Sequence, residues 1–271
     1  MMLSGSGGVL LVGAGKMGVA MAAGWLRAGL SGPDLTLVDP HPHESVRDFA
    51  AKNRARLQTD LPRETPRAVI LAVKPQVMDA VLAQVRTIVG PETLAISIAA
   101  GISLARLTGG LGTERVVRAM PNTPAQLGKG ISGAVAAPAV TGADRDLAEA
   151  LLAAAGPVVW FDDEAAIDAV TAVSGSGPAY VFHLVEAMAA GGVAQGLDPE
   201  RAMMLARQTV IGAAALLEAD ESDAAQLRKN VTSPNGTTQA ALDVLMAEDG
   251  LVALMTRAMT AARQRSEELG Q

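Results

Sequence analysis

The chain contains no cysteine. That absence excludes disulfides, thiolate metal sites and a cysteine nucleophile together. It also suits a reducing cytosol, so a cytoplasmic protein is expected. Aromatic residues are nearly as scarce, at 2% of 271 residues. The core must therefore be built from Ala, Val, Leu, Ile and Met. There is no basic excess, because 22 Lys and Arg against 28 Asp and Glu leave a net charge of −6. Phosphate contacts need clustered Lys and Arg, so nucleic acid is not an expected partner. A membrane is not expected either. The longest stretch free of Asp, Glu, Lys and Arg, residues 169–185, is interrupted by Ser174-Gly175-Ser176-Gly177-Pro178 and cannot span. The opening MMLSGSGG has neither the basic nor the apolar region of a secretory signal. His41, His43 and His183 lack metal-ligand spacing, so no metal site is expected. No Gly-X-Ser-X-Gly element of a hydrolase occurs.

What is present is a chain for one or two globular domains, with 49% hydrophobic and 18% charged residues. The first half alternates between two patterns. Strands are expected at Val9–Val12, Leu35–Val38, 68–73, 93–98, 115–120, 130–137 and 157–161. Helical segments are expected up to about Ala28, from about Glu44, and over 75–89, 104–107 and 144–155. In 75–89, Val77, Val81, Val85 and Val89 recur every four residues and should share one face. This alternation predicts an α/β fold, a doubly wound, mostly parallel sheet of Rossmann type. From Pro178 onward no strand is expected. Helices are read at 178–195, Pro199–Ala219, Ala224–Asn230, 238–247 and Leu251–Leu269, with Pro178 and Pro199 at first helical positions. A dinucleotide-binding domain over 1–165 and an all-α domain over 166–271 follow. Met203, Met204, Leu205, Val210, Ile211, Leu216 and Leu217 make one helix apolar on more than one face, which points to an oligomer interface.

Four motifs carry chemistry. Gly13-Ala14-Gly15-Lys16-Met17-Gly18 lies between a strand and a helix. There Gly13 permits a tight turn, Gly15 lets backbone approach a pyrophosphate at the helix start, and Gly18 allows close helix–sheet packing. Asp39 ends the second strand, where a carboxylate accepts hydrogen bonds from a ribose diol and repels a 2′-phosphate, favouring NADH; it can equally be a turn aspartate before Pro40. Ala72-Val73-Lys74-Pro75 sits at a strand end, with Lys74 either at the cleft rim or simply solvated. Met120-Pro121-Asn122-Thr123 is a second strand-end loop. Its polar groups either face a ligand or only satisfy backbone. Finally, Val231-Thr232-Ser233-Pro234-Asn235-Gly236-Thr237-Thr238 runs into a helix. Free N–H groups and hydroxyls there form a carboxylate cradle, unless Thr237 or Thr238 merely caps the helix.

The segments GAGKMG, AVKPQ, RAMPNTPA, SGSGPAYVF and VTSPNGTT span nearly the whole chain. In that order the sequence resembles the pyrroline-5-carboxylate reductases. The resemblance implies NAD(P)H-dependent reduction of L-1-pyrroline-5-carboxylate to L-proline by an intertwined homodimer, with five dimers in a decamer. It implies cofactor contacts at Gly13, Gly15, Lys16, Met17, Gly18, Asp39, Ala72, Val73, Lys74, Pro75, Met120, Pro121 and Asn122. It implies substrate contacts at Ser176, Asn230, Val231, Ser233, Gly236, Thr237 and Thr238, with Thr238 and Lys74 catalytic. Asn235 departs from the family, which usually has Gly there; Asn tolerates a left-handed turn. Two rivals stand beside this reading. One is a reductase of the same architecture acting on a β-hydroxyacid or another cyclic imine; the former would need a lysine on the 180–195 helix, and there is none. A dinucleotide-binding regulator without turnover would not need a second anion site.

Overall fold

The computed structural model describes Leu3 and residues 8–270. The stretch read as lacking a secretory signal therefore lies almost wholly outside the described residues. Eight strands form one sheet: β1 (Val9–Val12), β2 (Leu35–Val38), β3 (Arg56–Gln58), β4 (Ala68–Leu71), β5 (Leu94–Ser97), β6 (Val116–Pro121), β7 (Ser132–Ala136) and β8 (Val158–Phe161). Their spatial order is β3-β2-β1-β4-β5-β6-β7-β8. All neighbours are parallel except β6 and β7. Every residue of β1, β2, β4 and β5 is buried, as strands covered on both faces must be.

Two apolar cores lie on the two faces of this sheet. One takes Met21, Ala22 and Trp25 from α1 (Lys16–Arg27), Val46 and Ala50 from α2 (Glu44–Asn53), and Leu151 and Leu152 from α5 (Gly142–Ala153). The other takes Met78, Leu82 and Val85 from α3 (Met78–Val85), and Leu107 and Leu111 from α4 (Leu104–Leu111). The doubly wound α/β expectation is thus met. The valine stripe on 75–89 is not. Pro75–Val77 is a 3₁₀ turn, whose tighter winding resets the helical phase. Val77 is 50% exposed, and the buried stripe is Met78, Leu82 and Val85. Strand β3 escapes sequence reading because it is short, partly polar and only half-buried.

One buried carboxylate ties the rim of the sheet together. Asp144, fully buried, forms a capping box with Thr141 at the start of α5. It also accepts hydrogen bonds from Arg115 at 2.7 Å and Arg67 at 3.1 Å. Burial pushes its pKa up, but the Arg115, Thr141 and Arg67 hydrogen bonds outweigh it and hold it at about 2, below its ordinary 3.8. A depressed carboxylate pKa stabilises the fold above 3.8, and that contribution of about 2 kcal/mol disappears as pH falls through 2. Asp144→Asn should therefore lower the urea midpoint at pH 7 and lose part of the wild-type decline between pH 4 and 2. Superimposable urea curves at both pH values would refute the role.

Two compact units emerge: one runs to Ser176 and takes in the chain from Ala262 onward, and the other is Gly177–Ala261. This division lies beyond residue 165, because α6 (Ala166–Val170) and the π turn Thr171–Gly175 pack on the sheet. A Cβ on Gly133 of β7 would stand 2.7 Å from the Val170 side chain. The second unit holds α7 (Gly177–Ala194), α8 (Pro199–Ala219), α9 (Ala224–Asn230), α10 (Thr237–Leu245) and the first part of α11 (Leu251–Leu269). α7 packs on α8 through small residues: Ala189, Ala202 and Ala206 are buried, and a Cβ on Gly192 would touch that of Ala202. This close seam leaves the large residues outside. Met204 and Leu205 are among the exposed apolar side chains of α8. By length and composition α8 could also cross a membrane; its Glu200, Arg201, Arg207 and Glu218 suit a water-facing helix better.

Candidate functional site

The sheet topology places one cleft at the carboxyl ends of β3, β2, β1 and β4. The chain winds outward from β1 to β3 and then crosses to β4, so β1 and β4 flank the point where winding reverses. Ligands bind open parallel sheets at that point. Hydrogen bonds align the strand ends: Gly13 N–H donates to Val38 O, Asp39 N–H to Gln58 O, and Ala72 N–H to Val12 O, at 2.8–3.1 Å. The resulting cavity of about 930 Å³ is lined by Gly13, Gly15, Asp39, Thr59, Asp60, Ala72, Val73, Lys74 and Gln76, among others.

The glycine loop meets the geometry a dinucleotide needs. Gly13 has φ +95, and a Cβ there would lie 2.7 Å from Ala72 O, so no other residue fits. A Cβ on Gly18 would lie 2.4 Å from Gly13 O, which is the close helix packing expected of it. Gly15 is the N-cap of α1, with no side-chain cap and no acidic residue in the first turn. Nothing lies within 4 Å of where its Cβ would stand. The N–H groups at Lys16 and Met17 thus open onto an uncovered cradle suited to an anion. Asp39 is a turn residue and more: its Oδ1 accepts the His41 N–H at 2.9 Å, while its Oδ2 accepts the Ala14 N–H at 3.1 Å. Lys74 is exposed at the cleft wall, and Pro75 begins the 3₁₀ turn.

Met120, Pro121 and Asn122 stand at the end of β6, two strands beyond β4. Asn122 is buried and its side chain is already engaged. Its Nδ2 donates to Ser174 O and its Oδ1 accepts from Ile131 N–H. It braces the loop against the π turn, where Met120 also meets Gly175; the polar group read as ligand-facing serves neighbouring backbone instead. Ser176 follows that turn, its N–H bonded to Thr171 O.

The remaining expected residues belong to the helical unit. Asn230 ends α9, and its Oδ1 accepts from Gln226. Ser233 to Gly236 forms a turn closed by Gly236 N–H to Ser233 O at 3.0 Å. Asn235 sits at its corner with φ +57, so the left-handed conformation is adopted without glycine. α10 then starts at Thr237 with Gly236 as N-cap and no side-chain cap. Neither Thr237 nor Thr238 caps the helix, so its first N–H groups stay free.

The model of a family described as pyrroline-5-carboxylate reductase dimerisation matches residues 164–269. A second, NADP oxidoreductase, coenzyme F420-dependent, matches residues 8–101. The pyrroline-5-carboxylate reductase of Pseudomonas aeruginosa is 43% identical, covering 97% of both chains. The chain belongs to the pyrroline-5-carboxylate reductase family. The reductase of Synechocystis is 40% identical over 96% of this chain and 97% of its own. Among solved structures, the Coxiella burnetii pyrroline-5-carboxylate reductase superposes with a TM-score of 0.91 at 33% identity, over 98% and 99% of the two chains. The Plasmodium falciparum enzyme, solved with NADP bound, gives 0.80 at 27% identity over 97% and 98%.

Family membership makes the helical unit part of a dimerisation domain, and homo-oligomerisation accounts for its exposed apolar side chains. The sequence did not reveal Thr59 and Asp60 in the cleft, because they follow the unrecognised β3. Nor did it reveal the task of Arg118, quoted above only as part of a motif. Buried on β6, Arg118 donates to Glu164 at 2.7 Å and lies 3.7 Å from Asp168. Glu164 also accepts the Leu104 N–H, and Asp168 the Ser266 hydroxyl. This cluster locks α4, α6 and the end of α11 together. An arginine inside the otherwise apolar run 116–121 was the available signal.

Proposed function

We propose that this chain reduces L-1-pyrroline-5-carboxylate to L-proline with NAD(P)H, the last step of proline biosynthesis. The observation that carries this reading is full-length likeness, 43% identity over 97% of the chain, to a protein of that name. The NADP-bound relative supports the cofactor class, and the uncovered start of α1 fits a pyrophosphate. Gly13, Gly15, Lys16, Met17 and Gly18 hold the pyrophosphate; Asp39 takes the adenosine ribose. Ala72 to Pro75 and the main chain of Met120 to Asn122 border the rest of the dinucleotide. When bound, the dinucleotide supplies hydride at its nicotinamide C4 to the imine carbon. The chain's own work is to anchor, orient and protonate.

The free N–H groups at the start of α10, with Ser233, Thr237 and Thr238, hold the substrate carboxylate. Asn230, Val231 and Gly236 border it. Thr238 places its hydroxyl at the ring nitrogen, which takes a proton as the carbon takes hydride. Lys74 stands at the cofactor side. The sheet-bearing unit serves the dinucleotide, and the helical unit Gly177–Ala261 serves substrate and assembly. We infer a homodimer, five of which form a decamer, working in the cytoplasm without nucleic-acid or membrane partners; the dimerisation-family match supports self-association, and the acidic, cysteine-free composition supports the compartment and the absence of a nucleic-acid partner.

The test follows NAD(P)H absorbance with pyrroline-5-carboxylate, then with β-hydroxyacids and other cyclic imines. Turnover confined to pyrroline-5-carboxylate is expected, and a better rate with any rival substrate would overturn the reading. Thr238→Ala should lower turnover by about ten- to a hundredfold, the worth of one hydrogen bond to a charged group, about 1.5–3 kcal/mol. Dinucleotide affinity should barely move. Equal turnover in both proteins would remove Thr238 from the mechanism.

A further inference from the structure

The cofactor cleft carries a second carboxylate that neither the sequence motifs nor the proposed chemistry uses. β2 and β3 run parallel with Val38 opposite Gln58, and Asp39 N–H donates to Gln58 O. Asp39 and Thr59 thus leave adjacent strand ends, about 5 Å apart, and Asp60 follows at once. Asp39 and Asp60 both line the cleft. Lys74 is the only cation among the lining residues, and it starts from the end of β4, two strands from β2. His41, His43 and Arg47, which follow β2, are exposed and do not line the cleft. Arg56 is turned away, its guanidinium bound to Pro33 O beyond the other end of β3.

We propose that Asp39 and Asp60 together select NADH over NADPH. This rests on the placement of the dinucleotide given above and adds which dinucleotide is taken. The two acids have different parts. Asp39 is braced by two backbone N–H groups, Ala14 and His41. A carboxylate has about four acceptor sites, so it retains capacity for the 2′- and 3′-hydroxyls of the adenosine ribose while holding the glycine loop. A 2′-phosphate in that position would replace the 2′-hydroxyl donor by a dianion facing a carboxylate. Asp60 is exposed, and its one side-chain partner is the Thr59 hydroxyl at 2.9 Å. It acts by charge, adding to the negative field at the β2–β3 edge.

The experiment titrates the full-length protein with NADH and with NADPH by nicotinamide fluorescence, without substrate, and then measures turnover with each. The wild type should bind NADH about tenfold more tightly, a gap of about 1.4 kcal/mol. Asp60→Asn should narrow the ratio about threefold at low salt and much less at 0.5 M salt, where an exposed charge is screened. Asp39→Asn should narrow it further and weaken both dinucleotides, since the glycine loop loses part of its brace. Tighter binding of NADPH by the wild type, or a ratio unmoved by both substitutions, would overturn the proposal. Binding of neither dinucleotide would instead overturn the cleft assignment beneath it. Selective NADH binding without imine turnover would support the proposal and refute the proposed reaction.

Discussion

Leu205→Asp should leave the polypeptide folded and destroy its self-association. In the single chain Leu205 is 57% exposed, pointing away from the Ala202–Ala206 seam that packs on α7. A charge there therefore costs the isolated fold little. An assembly that covers this face of α8 buries the same position, where an aspartate without a partner costs about 3–5 kcal/mol. A two-fold interface contains the substitution twice, so affinity should fall by at least about four orders of magnitude. Light scattering should read a monomer at micromolar concentration, with the helical circular dichroism retained. Unchanged mass for both Leu205→Asp and Ile211→Asp would place the interface elsewhere.

Gly18→Val should loosen dinucleotide binding by about ten- to a hundredfold. A Cβ at Gly18 would lie 2.4 Å from Gly13 O and 3.2 Å from the Leu11 side chain. Gly13 cannot withdraw. Its N–H is bonded to Val38 O, its own φ is +95 against Ala72, and the next residue is tied to Asp39. α1 must move instead, and overpacking of this kind costs about 1–3 kcal/mol. The helix start then no longer faces the pyrophosphate. Gly15→Ala separates packing from ligand approach. Nothing in the protein contacts the added methyl, so its melting temperature should stay near wild type while affinity falls. Gly18→Val should lower both. Wild-type affinity in both variants would mean that the loop is no cofactor cradle.

Local pattern was sufficient wherever the chemistry is local. The buried strands β1 and β2 show as short, mostly apolar runs, and α8, α9 and α11 as segments of helical periodicity, α8 with Pro199 at its first position. The glycine loop, the β4 and β6 strand-end loops and the turn before α10 are likewise contiguous. Their residues must be neighbours in any fold, because they are neighbours in the chain. The reductase resemblance could be recognised for the same reason.

Tertiary structure decided what depends on contacts across the chain. Whether Val77 or Met78 faces the core turned on a 3₁₀ turn that shifts helical phase by a fraction of a turn. Whether Asn122 serves a ligand or the fold turned on Ile131 and Ser174 lying beside it. Arg118 and Asp144 became clamps only when partners up to 77 residues away arrived at buried positions. Asp60 became part of the cofactor cleft because β3, too short to recognise, pairs with β2 and carries it there. Sequence by itself determined the fold class, the family and the contiguous motifs, since apolar periodicity and turn chemistry act over a few residues. The pairing of distant charges and the second acid of the cleft were set by the folded sheet, because electrostatics and hydrogen bonding depend on distance in space, which chain separation does not encode.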